Sequence, residues 1–300
     1  MFAVTILGNN SAVPAFDRHP TAQVLQTNET TFLIDCGEGT QMQMSRYKIR
    51  RNKIDHIFIS HLHGDHYFGL IGLLSSMGLT GRKNELHIYA PEQLKNIIDL
   101  QLSVANTQLP YDLNFHILQN ESVIKDGARV IVECFKVKHR IECWGFIFRE
   151  KKNRRKIVPE EVKKYNIPTS FYENLQRGEN FVNESKEVIK NDMLTIALPS
   201  PKIYAYCADT IYYEPLIEKV RNADLLYHET TYLHTSQKKA IERFHSTAKE
   251  AAMIAKKAGV KKLLIGHFSS MYETLDDFEK EACEVFKNTE IANEGCTYLI

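Results

Sequence analysis

Four side chains that can bind transition metals crowd into six residues: His61, His63, Asp65 and His66. They directly follow an apolar run, Ile57-Phe58-Ile59. In an extended segment side chains alternate faces, so His61 and His63 point the same way. Gly64 then permits a sharp turn that brings Asp65 and His66 back toward the same point. Neutral imidazoles with a carboxylate suit Zn2+, Mn2+ or Fe. A merely polar loop accounts poorly for four ligands in so short a stretch.

Three further candidates lie far apart in the chain but share one position, the end of a strand-like run. His139 follows residues 130–137, Asp209 follows 203–207 and His267 follows 263–266. Singly, His139 reads as a surface histidine and Asp209 as a turn or cap residue. Gly266, just before His267, lets the backbone approach something closely. Their shared placement raises all three. Five histidines and two aspartates are too many for one tetrahedral zinc and suit two ions bridged by Asp209. Two ions ~3.5–4 Å apart form a hydrolytic device.

The elements that must position these residues follow from apolar patterning and turn residues. Strands are predicted at 2–7, 22–26, 31–35, 54–60, 85–90, 113–118, 129–137, 144–149, 203–207, 225–228 and 262–266, with a last one ending at Ile300. Helices are predicted after Gly39, over 67–77, from Pro91, from Tyr213, and over 246–258 and 275–286. This rhythm suits an α/β protein with two sheets face to face and helices outside. Residues 150–195 break it. They open on a basic run (Lys151, Lys152, Arg154, Arg155, Lys156) and continue with Lys, Glu and Asn, so they read as an inserted arm.

With 300 residues, 43% hydrophobic and 25% charged, the chain has the composition of a globular protein with a sizeable core. A net charge of +1 means that any nucleic-acid binding must use a local patch. No apolar run approaches the ~20 residues of a membrane span. The six cysteines form no CxxC pair and point to reduced thiols in a cytoplasmic protein.

His61-Leu-His-Gly-Asp-His66 resembles the HxHxDH signature of the metallo-β-lactamase superfamily. Other stretches resemble its ribonuclease Z branch, the short-form tRNA 3′-processing endoribonucleases. They are Leu7-Gly8 with Ser11-Ala-Val-Pro14 and Arg18, Phe32 to Gln41, His228-Glu-Thr-Thr-Tyr232 (Thr230 where the family has Ala) and His245-Ser-Thr247. The resemblance spans nearly the whole chain. It implies a four-layer αββα metallo-β-lactamase-like sandwich with an inserted protruding arm, one domain over 1–300. It implies two Zn2+ per subunit (Mn2+ or Fe being alternatives): one ion on His61, His63 and His139, the other on Asp65, His66 and His267, with Asp209 bridging. It assigns Asp65 as proton acceptor, and Glu229 and His245 to leaving-group protonation and phosphate contact. It implies precursor tRNA as partner, cleavage that leaves a 3′-hydroxyl, a homodimer and no membrane. The arm at 150–195 would clamp tRNA, with Lys151, Lys152, Arg154, Arg155 and Lys156 as phosphate contacts. Its tip, Asn166-Ile-Pro-Thr-Ser-Phe171, lacks the family's glycine, and Ala208 stands where a glycine is common. The rival readings are a small-molecule phosphodiesterase of the same fold and a non-catalytic scaffold.

Overall fold

The computed structural model describes residues 2–151 and 154–300. Six strands build most of a first sheet: β1 (Ala3–Gly8), β2 (Ala22–Gln26), β3 (Thr31–Ile34), β4 (Ile54–Phe58), β5 (Leu86–Ala90) and β6 (Leu113–Ile117). The second sheet starts with β7 (Ser122–Asp126), β8 (Val130–Lys136) and β9 (Trp144–Glu150). Four two-residue strands follow: β10 (Lys156–Ile157), β11 (Phe181–Val182), β12 (Val188–Ile189) and β13 (Thr195–Ile196). Then come β14 (Ile203–Cys207), β15 (Leu225–Glu229), β16 (Lys262–Gly266) and β17 (Thr289–Ile291), and β18 (Thr297–Leu299) returns to the first sheet. The orders are β18-β1-β2-β3-β4-β5-β6 and β17-β16-β15-β14-β9-β8-β7.

Both sheets are covered on two faces, which is why β1 reads as an unbroken buried run rather than an alternating one. Aromatic side chains fill the space between them. Phe32 meets Phe148 with ring centroids 5.4 Å apart, and Phe58 meets Phe146 at 5.3 Å. Helices α1 (Thr40–Arg46), α2 (Gly64–Tyr67), α3 (Leu70–Leu79) and α4 (Gln93–Val104) belong to the first half. Met44, Leu73, Met77 and Leu94 from this set bury against the outer face of the first sheet, with Leu33 and Ile57. The arrangement is an αββα sandwich.

Residues Glu150–Pro201 form a separate compact unit. It holds α5 (Pro159–Lys164), α6 (Tyr172–Arg177) and α7 (Asn191–Leu194), with ribbons β10–β13 and β11–β12. Val162, Ile167, Leu175, Ile189 and Leu194 make its own small core. Buried Asn191 ties it together by donating to the carbonyls of Leu175 and Glu179 at 2.9 and 2.8 Å. Beyond it lie α8 (Leu216–Lys219), α9 (Gln237–Arg243), α10 (Ala248–Ala258) and α11 (Asp276–Val285). Alanines of α10 and Phe278 and Ala282 of α11 pack on the second sheet's outer face.

Several expected boundaries are corrected. The helix expected over 67–77 is two, α2 and α3, so Asp65 and His66 sit inside a helical turn rather than a sharp loop turn. Gly64 has no left-handed backbone; a Cβ there would come 2.2 Å from the exposed Phe68 ring, which would have to turn aside. The helix expected from Ser246 is capped by Thr247, whose hydroxyl and Glu250 form a reciprocal capping box. The helix expected from Tyr213 is the single turn α8. Strands β7 and β17 and helix α9 were not anticipated.

Candidate metal centre

Strands β14, β15 and β16 are parallel neighbours, so their C-terminal ends share one edge of the sheet. Asp209 and His267 follow β14 and β16, and Glu229 is the last residue of β15. His61 and His63 follow β4, and His139 follows β8. The structure brings all seven ligand candidates together in two groups that share Asp209: His61, His63 and His139, and Asp65, His66 and His267. His61 Nε2 and His139 Nε2 lie 3.0 and 3.2 Å from His63 Nδ1. His267 Nε2 lies 3.3 Å from His66 Nε2 and 3.2 Å from Asp65 Oδ2. Asp209 turns Oδ2 to His61 Nε2 at 3.6 Å and Oδ1 to His267 Nε2 at 3.2 Å.

Hydrogen bonds behind the rings fix which nitrogen faces the centre. A carboxylate only accepts, so the chain of donors can be traced. His66 Nδ1 donates to Asp35 Oδ2 at 2.8 Å. Ser60 Oγ donates to the same oxygen at 2.9 Å and so accepts from His61 Nδ1 at 3.0 Å. His139 Nδ1 donates to the carbonyl of Phe244 at 2.9 Å. Thr231 Oγ1 gives its proton to Glu229 Oε2 at 2.8 Å and accepts from His267 Nδ1 at 2.9 Å. Each of these four rings therefore turns its Nε2 inward, as metal-binding histidines do. His63 is reversed: Nδ1 points inward, and Arg140 donates to Nε2 at 3.2 Å. Asp35 (φ 55°), Phe244 (φ 60°) and His267 (φ 63°) all take the left-handed conformation to make these contacts.

Burial, with the neighbouring imidazoles, holds His61 well below the usual histidine range. The same causes bring His63 down to about 4, and burial lowers His139. These three rings are neutral, the form that binds metal. His66 goes the other way: despite burial, the carboxylates of Asp209, Asp35 and Asp65 hold it well above its ordinary value. Asp209 is itself held well below the carboxylate range, against its burial, by His267 and His66. Its buried Oδ1 accepts no well-formed hydrogen bond, with His267 Nε2 and His66 Nε2 at 3.2 and 3.4 Å. A buried carboxylate oxygen so placed is costly unless a cation meets it. The donor set thus suits two divalent ions.

His245 stands beside the second group. Its Nδ1 is 3.2 Å from Glu229 Oε1. Against burial, the Glu229 carboxylate raises His245 to about 9. Glu229 is fully buried and is absent from the lining of the cleft over the centre, whereas His245 is part of it. That cleft, of about 370 Å³, is also lined by Arg140, Arg243, Ser269 and Ser270, which sequence reasoning missed. Arg140 had one signal, adjacency to His139. Asp35 and Thr231 were also missed as site residues, although both stand in stretches that carry the resemblance.

The HST stretch divides its work. His245 faces the cleft, Ser246 Oγ donates to the Thr210 carbonyl at 2.7 Å, and Thr247 caps α10. Thr230 is buried, with its hydroxyl donating to the Gly266 carbonyl at 3.0 Å. Gly266 is required because a Cβ would lie 2.4 Å from Tyr227 Oη. Ala208 fits its buried position without a left-handed backbone. In the opening stretch Arg18 is a tie, donating to Asn10 Oδ1 at 3.0 Å and the Glu273 carbonyl at 2.9 Å.

Two arginines of the basic run are engaged rather than free. Within its own unit, Arg155 donates to Thr195 Oγ1 at 2.7 Å and pairs with Asp192. Arg154 pairs with Glu173 at 3.4 Å. Lys151 is half-buried, Lys156 is exposed on β10, and Lys152 lies outside the described residues. At the arm's tip, Asn166 takes φ 50°, a conformation asparagine tolerates in place of glycine.

Among curated proteins the chain is 40% identical over 98% of its length to a ribonuclease Z from Parabacteroides distasonis, covering 97% of that protein. A family model described as anti-Pycsar protein Apyc1 matches residues 2–155. Among solved structures it resembles human tRNase Z, short form, at 25% identity and TM-score 0.72, each chain covered to 99%. It also resembles YhfI of Bacillus subtilis, a metallo-β-lactamase fold protein, at 20% identity and TM-score 0.71, with both chains fully covered.

Proposed function

The chain belongs to the ribonuclease Z family, and over residues 2–155 to the family described as anti-Pycsar protein Apyc1, and from that premise we propose that this metal-dependent endoribonuclease removes the 3′ trailer of precursor tRNA and leaves a 3′-hydroxyl. The observation that carries this reading is the Glu229–His245 pair beside two ligand groups joined at Asp209. Residues 2–155 stop short of Asp209, Glu229, His245 and His267, so the full-length relatives weigh more.

His61, His63, His139 and Asp209 would hold one Zn2+, and Asp65, His66, His267 and Asp209 the second, with Mn2+ or Fe as substitutes. Bound there, two divalent ions supply charge that opposes the anionic transition state and make water a nucleophile near neutral pH. Asp65 lines the cleft with its carboxylate held ionised, despite burial, by His66 and His267. It orients the attacking water and accepts its proton. His245, cationic at neutral pH, donates from Nε2 to the departing 3′ oxygen. Glu229 does not reach the cleft. It is a positioning residue that holds Nδ1 and keeps the ring charged. Arg140 and Arg243 place positive charge where the phosphates flanking the cut lie.

The reading extends to a single catalytic domain with the 150–195 segment as a tRNA-binding arm, to a homodimer, and to the cytoplasm, where the free cysteines fit a reducing compartment. The test is cleavage of a precursor tRNA with mapped ends, beside a metal count. A cut at the trailer junction that disappears with chelator and returns with Zn2+ is expected. Turnover of a small phosphodiester with no cut in precursor tRNA would sink it in favour of a small-molecule phosphodiesterase.

A further inference from the structure

A second basic run, unlike Arg154 and Arg155 of the arm, makes no ion pair among the described residues. Residues 46–53 carry Arg46, Lys48, Arg50, Arg51 and Lys53 and no acid. Lys48, Arg50 and Lys53 line a cleft of about 550 Å³, together with the β2–β3 turn and Thr5 of β1. All three are exposed, and none makes an ion pair among the described residues. The lining has a single acid, Glu29, and it is taken by Arg129 at 3.1 Å. Thr31 at the start of β3 lines this cleft, whereas β3 ends beside Asp35, which holds His66. The cleft is therefore a strand's length from the metal centre, at the opposite end of the first sheet.

The backbone adds a second, independent sign. Helix α1 ends in a Schellman motif: Ile49 N–H donates to the Met44 carbonyl at 2.8 Å and Lys48 N–H to that of Ser45 at 3.3 Å. The residue just past the cap, which donates the second of these bonds, must be left-handed and is commonly glycine. Here it is Lys48, at φ 57°. Strain kept at an exposed residue, where glycine would relieve it, points to work done by the side chain.

We propose that Lys48, Arg50 and Lys53 bind the phosphates of a polynucleotide backbone, as a second RNA contact remote from the cutting centre. Exposed, unpaired cations on a wide cleft suit repeated phosphates, which such contacts hold by displacing counterions. A free phosphate would instead need buried donors converging on one point, and this cleft has none of its cations buried. The inference deepens the precursor-tRNA reading and rests on it for the natural ligand.

The experiment measures binding of labelled precursor tRNA, and separately poly(U), to the full chain across a salt series. The proteins are wild type, Lys48→Ala/Arg50→Ala/Lys53→Ala, and Lys48→Gly. The triple variant should bind both RNAs at least tenfold more weakly at low salt, and its slope of log K on log salt should be shallower by about two, from roughly 0.7 per lost phosphate contact. Its turnover of a small aryl phosphodiester and its melting temperature should stay as in wild type. Lys48→Gly should melt higher yet bind RNA more weakly. Unchanged affinity and slope on both RNAs would overturn the inference. So would binding of pyrophosphate that needs these cations while RNA affinity does not. If wild type fails to cut precursor tRNA, the function proposed above falls, while the poly(U) slopes still decide this contact.

Discussion

His245 Nδ1 lies 3.2 Å from Glu229 Oε1, and Glu229 also accepts from the backbone N–H groups of Thr210, Ser246 and Thr231 and from the Thr231 hydroxyl. So many donors lock the carboxylate in its ionised form. The imidazole beside it is held charged up to about 9.

Activity that needs protonated His245 should be level through neutral pH and fall as pH rises through about 9. In Glu229→Gln the ring loses its anion and returns toward an ordinary ~6.5. The alkaline limb should shift down by about 2.5 pH units, with roughly a 30-fold lower rate at pH 8. The folding contribution has the same sign. Because the folded-state value is raised, the pair's stabilisation is full below ~6.5 and is lost as pH climbs through the folded value. Thermal melts of wild type and Glu229→Gln at pH 6 and pH 10 check this; an alkaline limb that does not move in the variant would refute the role given to Glu229.

Asp65→Asn keeps the shape of the side chain and removes its basicity. Precursor-tRNA cleavage should drop by about 10²–10⁴-fold, the range for losing a positioned general base. Single-turnover assays with saturating enzyme separate this from weaker binding. A loss confined to KM would reassign Asp65 to substrate contact.

Asp35 never touches the cleft, yet it receives His66 Nδ1, Ser60 and the Tyr206 hydroxyl. Asp35→Asn should therefore weaken metal affinity about 10–100-fold, as loss of such supporting partners does. Tyr206→Phe should do so more mildly. Arg140→Ala should not weaken it, because the guanidinium's donation to His63 Nε2 leaves the ring proton on Nδ1, where a metal must bind. Zinc titrations of chelator-stripped protein measure all three. Zinc should also raise the melting temperature of wild type, by about 2.7 kcal/mol of stabilisation at a hundred times Kd.

The 150–201 unit leaves at the end of β9 and returns at β14, and Arg149 pairs directly with Ile203 across that ladder. Replacing the unit by a two-residue hairpin turn should leave the sandwich folded, with small-diester turnover near wild type. Precursor-tRNA affinity should fall sharply. Circular dichroism and anisotropy read the two effects apart; loss of the fold would show that the unit is not separable.

Strands such as β2, β14 and β16 were legible to the residue because compact apolar runs end at clear turn residues. β7 was not: Ser-Val-Ile-Lys-Asp is an edge strand with half its positions in solvent, so no apolar run marks it. The ligand candidates were legible because each stands just past a strand. Their supports were not, since Asp35, Thr231 and Ser60 matter only through hydrogen bonds that the fold closes between distant segments. Charge runs show the same limit. Residues 46–53 and 151–156 look alike in sequence. Only the approach of Glu173 and Asp192 to Arg154 and Arg155 distinguishes a paired run from an unpaired one.

Asp35, Phe244 and His267 hold left-handed backbones that the surrounding sandwich imposes. The seat of the candidate ligands is therefore shaped by the packing of the sandwich as well as by the ligands themselves. A substitution in the layer between the sheets, remote from the cleft, should loosen metal binding as one beside the cleft does.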